Sequence, residues 1–170
     1  MNGFREIQPK EWNVNPFDAI GTQWMLIGAG QGEKVNAMTA SWGGAGVLWG
    51  RNAAYIFIRQ SRYTKEFVDA GDTFSLTFYD RSRYAEMLGY MGKASGRNED
   101  KIAKAGLTVL RDGDTPYFAE AHTVLICRKM ARHPIQPDGF LEEWIDGRYY
   151  ADHDYHDMYV GEIVKILVKE

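Results

Sequence analysis

The sequence predicts a mainly β fold with short α-helices, in which the strands close wholly or partly into a barrel with helices at its ends. Short runs rich in β-branched and aromatic residues recur along the chain, and one of them alternates, with Phe74, Leu76 and Phe78 on one face. The helical stretches between these runs are short, which is typical of barrels. The chain has 170 residues, so one domain is expected over residues 1–170.

Six strands are predicted from these runs. The glycine-rich segment 28–32 is interpreted as a hairpin turn. A phosphate-binding loop is the weaker alternative, because the segment lacks the G-x-G-x-x-G spacing and leads into a strand instead of a long helix. The predicted strands span residues 22–27, 35–42, 54–59, 73–79, 123–130 and 158–168.

Three short helices are predicted between the strands. The first begins at Thr64, whose hydroxyl suits an N-cap, and ends at Gly71. The second covers residues 82–91 and carries an apolar stripe at i, i+3, i+4 and i+7, which is expected to face the core. The third is expected to have Asn98 as its cap and to end at Gly106, so that its N-terminus forms a second anion-binding helix end.

Two arginines flank the turn before the first helix. Arg59 ends the third predicted strand, and Arg62 precedes Thr64 by two residues. An anion in this turn would meet the free N–H groups of the first helical turn and a planar guanidinium that can donate two parallel hydrogen bonds to phosphate. The segment alone equally permits a simpler interpretation, in which both arginines are solvated surface charges and Thr64 is only a cap.

The second predicted strand carries hydroxyls and small residues. In an extended strand Thr39 and Ser41 share one face, and Met38, Ala40 and Trp42 share the other. Two hydroxyls on a common face can hold the polar edge of a ligand, and small residues let the backbone approach a planar ring closely. An ordinary strand with one wet face has the same pattern. The hydroxyls and small residues of this strand occur together with the two arginines of the later turn, and this combination favours a site for a phosphate-bearing planar ligand. A flavin fits this description.

Four sequence blocks carry a family resemblance. They are 36–42 (N-A-M-T-A-S-W), 59–64 (R-Q-S-R-Y-T), 92–101 (G-K-A-S-G-R-N-E-D-K) and 152–163, in which D-Y-H is followed by G-E-I. In this order they resemble the flavin reductase-like proteins, which have an FMN-binding split β-barrel. The resemblance covers most of the chain and implies that fold: mainly β with short α-helices, in a split β-barrel.

The resemblance also implies a function. Family members bind FMN or FAD, usually as homodimers with the flavin near the subunit interface, and many pass a hydride from NAD(P)H to it. Residues 38–42 would lie along the isoalloxazine and ribityl chain, with the turn at 61–64 near the phosphate. No catalytic side chain is expected, because the flavin carries the chemistry. Where many members have a Pro-Pro pair, this chain has V-L-W-G-R-N at 47–52. The implied flavin-binding residues are Asn36, Met38, Thr39, Ala40, Ser41, Trp42, Arg59, Ser61, Arg62, Tyr63, Thr64, Ser95, Gly96 and Arg97.

Composition argues against several other function classes. A net charge of −3 without a dense basic run gives no attraction to nucleic acid. No apolar segment approaches the roughly 20 residues that span a bilayer, and residues 1–6 lack a signal-peptide core, so a cytoplasmic protein without a membrane partner is expected.

The single Cys127 is predicted to be a buried strand thiol. His153 and His156 would point to opposite faces of an extended segment, so no metal site is predicted, and His156 is interpreted as a hydrogen-bonding group at the flavin site or dimer interface.

Two alternatives to a reductase stay open at this point. The protein could bind FMN as an electron carrier or sensor without significant NAD(P)H turnover. It could also be a barrel without flavin that serves as a structural or interaction module. The sequence does not choose FMN over FAD or NADH over NADPH, and it does not identify the final electron acceptor.

Overall fold

Ten β-strands and four α-helices are found in residues 3–170, which the computed structural model describes. The strands are β1 (Phe4–Ile7), β2 (Met25–Gln31), β3 (Lys34–Ala40), β4 (Gly43–Leu48), β5 (Arg51–Arg59), β6 (Thr73–Phe78), β7 (Val109–Asp112), β8 (Thr115–Phe118), β9 (Thr123–Pro134) and β10 (His156–Lys169). The helices are α1 (Tyr63–Ala70), α2 (Arg81–Lys93), α3 (Lys101–Lys104) and α4 (Trp144–Tyr149).

Eight of these strands form one antiparallel sheet in the order β3-β2-β6-β9-β10-β5-β4, with β1 paired to β10. Strand β10 pairs with β9 along most of its length. Its other edge pairs with β5 over residues 156–162 and with β1 over residues 166–169, so β10 joins two parts of the sheet. Strands β7 and β8 form a separate hairpin. The prediction of a mainly β fold with short helices is therefore confirmed.

Both faces of the central strands are buried. Met25 and Ile27 of β2 belong to one apolar cluster, whereas Leu26 between them belongs to the other, as strand alternation requires. On β6 the opposite face is also covered, because the Ser75 hydroxyl is buried and donates to the Pro116 carbonyl at 2.6 Å. The β7–β8 hairpin thus covers a face of β6 that would otherwise be exposed to solvent.

The apolar residues predicted to face the core do so. Phe74, Leu76 and Phe78 all lie in the cluster that contains Met25. Leu88 and Met91 of the α2 stripe are buried in the second cluster, and the other two members of the stripe pack against it. The sequence patterns at periods of two and about 3.6 therefore identified the core faces of β6 and α2.

Several predicted boundaries of the strands are wrong. The strand predicted at 22–27 begins at Met25, because Phe17–Thr22 form a π-helix. Strand β2 continues through Gln31, so the hairpin turn lies at Gly32, whose φ is 59°, and most of segment 28–32 is strand. Strands β1, β4, β7 and β8 were not predicted.

The predicted N-cap of α1 is also wrong. Arg62 occupies the N-cap, so Thr64 lies inside the first turn of the helix. The Thr64 hydroxyl instead accepts a hydrogen bond from Asn36 Nδ2 at 2.8 Å. This bond ties the start of α1 to β3, which brings the two predicted site segments together.

Helix α3 is shorter than predicted and has a different cap. Asp100 is its N-cap, and its carboxylate accepts from the backbone N–H of Ala103 at 3.0 Å. Asn98 is therefore not the cap. A single helical turn with a capped amide does not provide the second anion-binding helix end that the sequence suggested.

A buried ionic network fixes α1 to β10. Lys65, which is 7% exposed, forms ion pairs with Asp157 at 2.9 Å and with Asp69 at 2.8 Å. Tyr159 donates to Asp69, and Gln60 donates to Asp157. Burial alone would lower the pKa of Lys65, but its hydrogen bonds to the two carboxylates raise this pKa overall. The network therefore holds the arginine turn before α1 in place.

Three further expectations concern membrane-spanning helices, the N-terminus and the single cysteine. Within residues 3–170 no helix is long and apolar enough to cross a membrane. The expectation about a signal peptide concerns residues 1–6, of which 1 and 2 lie outside the described residues. Cys127 is fully buried in β9 and burial raises the pKa of its thiol, which confirms a buried strand thiol.

Candidate functional site

Arg62 lies at the N-cap of α1, in the turn that follows β5. Its backbone N–H donates to the Arg59 carbonyl at 3.1 Å, and its Nη1 donates to the Gly92 carbonyl at 2.8 Å. Burial and the charge of Arg59 lower the pKa of Arg62, whereas Asp154 raises it. A guanidinium starts from so high a pKa that it stays charged at any working pH. The turn thus places a permanent positive charge between α1 and α2.

Lys101 lies beside Arg62 and is 3% exposed. Its ammonium donates to the carbonyls of Met91 and Ala94, at 3.1 and 3.0 Å. Burial and the nearby guanidinium of Arg62 lower the pKa of Lys101 to about 8. Neither cation forms an ion pair with a carboxylate in the part of the chain that the structure describes. The two positive charges therefore repel each other, and an anion between them would relieve this repulsion.

A cavity of about 150 Å³, the anion pocket, is the space beside these two cations. Asn36 and Thr64, joined by their hydrogen bond, form part of its wall. The size, the two positive charges and the start of α1 together suit one phosphate group. Its lining residues are Asn36, Ser61, Arg62, Tyr63, Thr64, Lys93, Ala94, Ser95 and Lys101.

A second cavity of about 190 Å³, the β3 pocket, adjoins the end of β3. Met38 and Ala40 reach into the core, and the hydroxyl of Thr39 donates to the Leu88 carbonyl at 2.6 Å. Strand β3 ends at Ala40, so strand alternation does not extend to Ser41 and Trp42 as predicted. The residues that line this pocket are Met38, Thr39, Ala40, Ser41, Trp42, Phe57, Arg59 and His156.

Arg59 lines the β3 pocket, but its hydrogen bonds go to the chain around α4. Its guanidinium donates to the Tyr149 carbonyl at 2.8 Å and to the Asp154 carbonyl at 2.9 Å, and it lies over the Tyr150 ring at 5.2 Å. The Asp154 carboxylate in turn accepts from the backbone N–H of Ser61 at 3.1 Å and from its hydroxyl. Arg59 and Ser61 therefore anchor residues 149–154 beside the pocket.

His156 is the buried polar group of the β3 pocket, at 8% exposure. Its Nδ1 is 2.8 Å from the Tyr150 hydroxyl, and its ring is 5.1 Å from that of Trp42. Burial and the charge of Arg59 lower the pKa of His156 to about 4. The imidazole is therefore neutral at pH 7 and can donate from one nitrogen and accept at the other.

A third and larger space, the outer cavity of about 900 Å³, lies next to the anion pocket. Gly96 and Arg97 line it, whereas Ser95 lines the anion pocket. A Cβ at Gly96 would lie 2.2 Å from Asn36 Oδ1, so only glycine allows this loop to approach β3 so closely. Arg97 pairs with Glu66 and covers the Tyr63 ring at 4.8 Å.

The fourteen sequence-predicted residues thus line three spaces: the anion pocket and the outer cavity, which share lining residues, and the β3 pocket at the end of β3. Lys101, Lys93 and Phe57 were not predicted as site residues. Lys101 is the last residue of the sequence block 92–101, and its place in this block is the one signal that could have identified it as a site residue. No group of three or more His, Cys, Asp or Glu side chains within residues 3–170 could hold a metal ion.

A model of the flavin reductase like domain matches residues 17–170 of the chain. The chain is similar to the solved FMN-binding domain of a flavin reductases-like enzyme from Shewanella baltica OS155, with 14% identity over 98% of this chain and 77% of that one and a TM-score of 0.70. It is also similar to flavoredoxin of Desulfovibrio vulgaris (Miyazaki F), with 23% identity over 96% and 78% and a TM-score of 0.68. An FMN-binding protein from Thermus thermophilus matches with 20% identity over 96% and 78% and a TM-score of 0.69. No curated protein matches the chain. At these identities the solved structures confirm the predicted fold class.

Proposed function

The chain belongs to the flavin reductase-like domain family, and from this premise we propose that it binds FMN and receives hydride from NAD(P)H. Membership confirms the resemblance seen in the four sequence blocks and assigns the chain to a family of flavin-related oxidoreductases. The FMN, the nicotinamide donor and a cytoplasmic location are parts of the proposal.

One observation carries the assignment of FMN. The half-buried Arg62 and the buried Lys101 lie side by side, with no carboxylate of residues 3–170 in an ion pair with either, at a cavity large enough for one phosphate. A protein rarely leaves two such charges uncompensated, because Lys101 has lost most of its hydration on burial and Arg62 has lost part of it. A phosphate dianion would neutralise both and would accept their remaining hydrogen bonds. The β3 pocket, which continues along the same strand, would then receive the isoalloxazine ring.

The residues of the chain would bind and orient the cofactor without acting as acids or bases. Arg62 and Lys101 would hold the phosphate, and Asn36 would keep α1 at the correct distance through its bond to Thr64. Trp42 and the neutral His156 would bound the ring in the β3 pocket. When bound, FMN would supply the chemistry of hydride transfer from the nicotinamide. The acceptor of the electrons is left open.

The direct test is the absorbance spectrum of the purified protein, as isolated and after addition of FMN, followed by anaerobic addition of NADH or NADPH. A bound flavin band that either nicotinamide bleaches rapidly would support the reductase. A bound band that neither bleaches would indicate an electron carrier or sensor. A folded protein that binds no flavin would overturn the proposal in favour of a structural or interaction module.

The affinity for FMN is expected to fall as the pH rises above about 8. Burial and Arg62 lower the pKa of Lys101 to about 8, so at higher pH binding of the phosphate must first take up a proton. The Kd should increase by up to about tenfold per pH unit above this pKa. Fluorescence titrations from pH 6 to 10 would measure it. In Lys101→Met the affinity should be lower and this pH dependence should be absent. The same slope in the variant would contradict the role of Lys101.

We also propose that the chain forms a homodimer with the flavin near the subunit interface. The β4–β5 hairpin supports this, because Val47 and Trp49 at its tip are 71% and 61% exposed. Trp49, with a φ of 51°, and Gly50, with a φ of 69°, are the two central residues of this hairpin turn, which requires positive φ at both and holds the Trp49 side chain at the tip. Trp42, at the β3 pocket, is also 41% exposed. Exposed aromatic and aliphatic side chains of this kind are enriched at subunit interfaces.

Replacing Val47 and Trp49 together by lysine is expected to convert the dimer into a monomer, because two ammonium groups would have to be desolvated in the interface. Analytical ultracentrifugation would measure the mass, and circular dichroism would check the fold. Arg5→Lys, which changes an exposed residue of β1, is the control and should leave the mass unchanged. A wild-type protein that is monomeric, with and without FMN, would refute the dimer.

A further inference from the structure

Two large apolar side chains are left in water where helix α4 begins. Leu141 is 97% exposed, and Trp144, the first residue of α4, is 54% exposed. The Leu141 side chain therefore contributes almost nothing to the packing of the folded chain. Exposed apolar side chains that lie close together and are rimmed by polar groups mark interaction sites. With three neighbouring carboxylates these two side chains form a surface that we call the α4 patch: Asp138, Leu141, Glu142, Glu143 and Trp144.

The rim of the α4 patch is acidic. Asp138, Glu142 and Glu143 are exposed, and none of them forms an ion pair with a lysine or arginine within residues 3–170. The Glu142 carboxylate accepts a hydrogen bond from Trp144 Nε1 at 3.0 Å, which fixes a negative charge beside the indole ring. The segment 137–149 holds four carboxylates and one arginine, so its net charge of −3 is as large as that of the whole chain.

A short row of aromatic rings connects the α4 patch to the β3 pocket. The Trp144 ring lies 6.2 Å from the Tyr149 ring, which lies 5.1 Å from the ring of Trp42 in the pocket wall. The Arg59 guanidinium donates to the Tyr149 carbonyl at 2.8 Å, so this row is fixed to the wall of the pocket. A molecule bound at the α4 patch would therefore lie beside the occupant of the β3 pocket.

The charge of the α4 patch selects the kind of molecule that can cover it. Nucleic acid and anionic membrane surfaces carry negative charge and would be repelled. In a two-fold contact between copies of this chain the same patch would meet itself, and its unpaired carboxylates would repel each other. A protein surface with lysines and arginines around an apolar centre would complement both the rim and the two apolar side chains.

From this arrangement we propose that the α4 patch docks a basic redox protein that takes electrons from the flavin. The hydride received from the nicotinamide would leave as two electrons, one to each of two partner molecules that dock in turn, and one proton, which passes to solvent. The electron route rests on the proposed function, since it takes the β3 pocket as the site of the flavin ring. The docking itself requires only the patch.

Mitochondrial cytochrome c is the probe, because it is a one-electron acceptor with lysines around its haem edge. Glu142→Lys/Glu143→Lys reverses the charge of the rim, and Leu141→Ser removes the apolar side chain where the folded chain loses almost no packing. The matched control is Glu6→Lys/Glu86→Lys, which makes the same change in net charge at two exposed carboxylates of β1 and α2, outside the patch. Calorimetry in about 0.1 M salt, where distant charges are largely screened, would measure binding of ferric cytochrome c to each protein.

We expect cytochrome c to bind the wild type and to bind Glu142→Lys/Glu143→Lys at least about tenfold more weakly, a difference of about 1.4 kcal/mol. Leu141→Ser should weaken binding at least about fivefold, and the control should bind nearly as the wild type does. With FMN bound and NADH or NADPH as the donor, the rate of cytochrome c reduction should fall in the two patch variants and not in the control.

Three results would contradict the docking surface. They are a wild type that does not bind cytochrome c, binding that is equal in the wild type and both patch variants, and binding that the control weakens as much as Glu142→Lys/Glu143→Lys does. Analytical ultracentrifugation tests the other occupant, a second copy. A lower mass for Leu141→Ser than for the wild type would assign the patch to a contact between copies and overturn the proposal.

The failures of the two proposals are distinguishable. A protein that binds FMN, but shows any of these contradicting results, overturns the docking surface and leaves the flavin site standing. A protein that binds no FMN overturns the proposed function and the electron route with it, and the calorimetric titrations still decide the docking surface. Reduction rates that are equal in all four proteins, despite unequal binding, would show that flavin released to solvent carries the electrons and would overturn the electron route.

Discussion

Replacing Arg62 by alanine is expected to weaken FMN binding by about 30- to 150-fold, because charged hydrogen bonds to a phosphate contribute about 2–3 kcal/mol. The side chain has one observed partner, the Gly92 carbonyl at 2.8 Å, which leaves its other N–H groups for the ligand. Stability should change little. The lost hydrogen bond is offset by removal of the repulsion between Arg62 and Lys101, which lowers the pKa of Lys101 in the wild type.

Two variants isolate this effect. Arg62→Lys keeps the charge but not the planar fork, and it should recover part of the lost affinity. Arg83→Ala removes an exposed arginine of α2 that lines neither pocket, and it should bind FMN as the wild type does. Fluorescence titration gives each Kd, and thermal unfolding checks that the variants are folded. An unchanged Kd in folded Arg62→Ala would exclude Arg62 from the phosphate site.

The sequence alone predicted much of this site because its signals are local. Arg59, Ser61, Arg62 and Thr64 follow one another between a strand and a helix, so their meeting at one turn needs no knowledge of the tertiary structure. The error in the cap of α1, in contrast, has a long-range cause. Threonine is a common N-cap, but the Thr64 hydroxyl accepts a hydrogen bond from Asn36, which lies 28 residues away in the chain.

The rest of the site depends on contacts between distant segments. The flavin contact expected of Arg59 stays a prediction, and its bonds to Tyr149 and Asp154 span 90 and 95 residues. The ammonium of Lys101 becomes part of the site only because it turns back toward α2. Strand β4 begins with the glycine-rich sequence G-G-A-G, which lacks the apolar alternation of a strand and is extended because it pairs with β5.

Replacing Lys65 by methionine is expected to destabilise the protein by about 3–5 kcal/mol, because Asp157 would remain as a buried charge without its closest cation. Asp157 is 4% exposed, and the only other cation within 4 Å among residues 3–170 is Arg132 at 3.8 Å. For a chain of this length the melting temperature should fall by about 6–20 °C. The control Lys104→Met removes an ammonium that is 62% exposed and paired with Glu99, and it should cost less than about 1 kcal/mol.

The double variant Lys65→Met and Asp157→Leu separates the cost of an unpaired charge from the value of the pair. Replacing both partners of a buried ion pair by apolar side chains is often neutral, so most of the lost stability should return. Asp69, whose carboxylate also contacts Lys65, keeps Tyr159 and Arg132 as partners. Urea unfolding at pH 7 measures all four proteins. In the wild type, burial raises the pKa of Asp69 but the hydrogen bonds from Lys65 and Tyr159 lower it overall, so this carboxylate is charged at pH 7 and its contribution is lost only as the pH falls through that lowered value. Equal stability of Lys65→Met and the wild type would mean that α1, and the phosphate site at its start, is held by apolar packing alone.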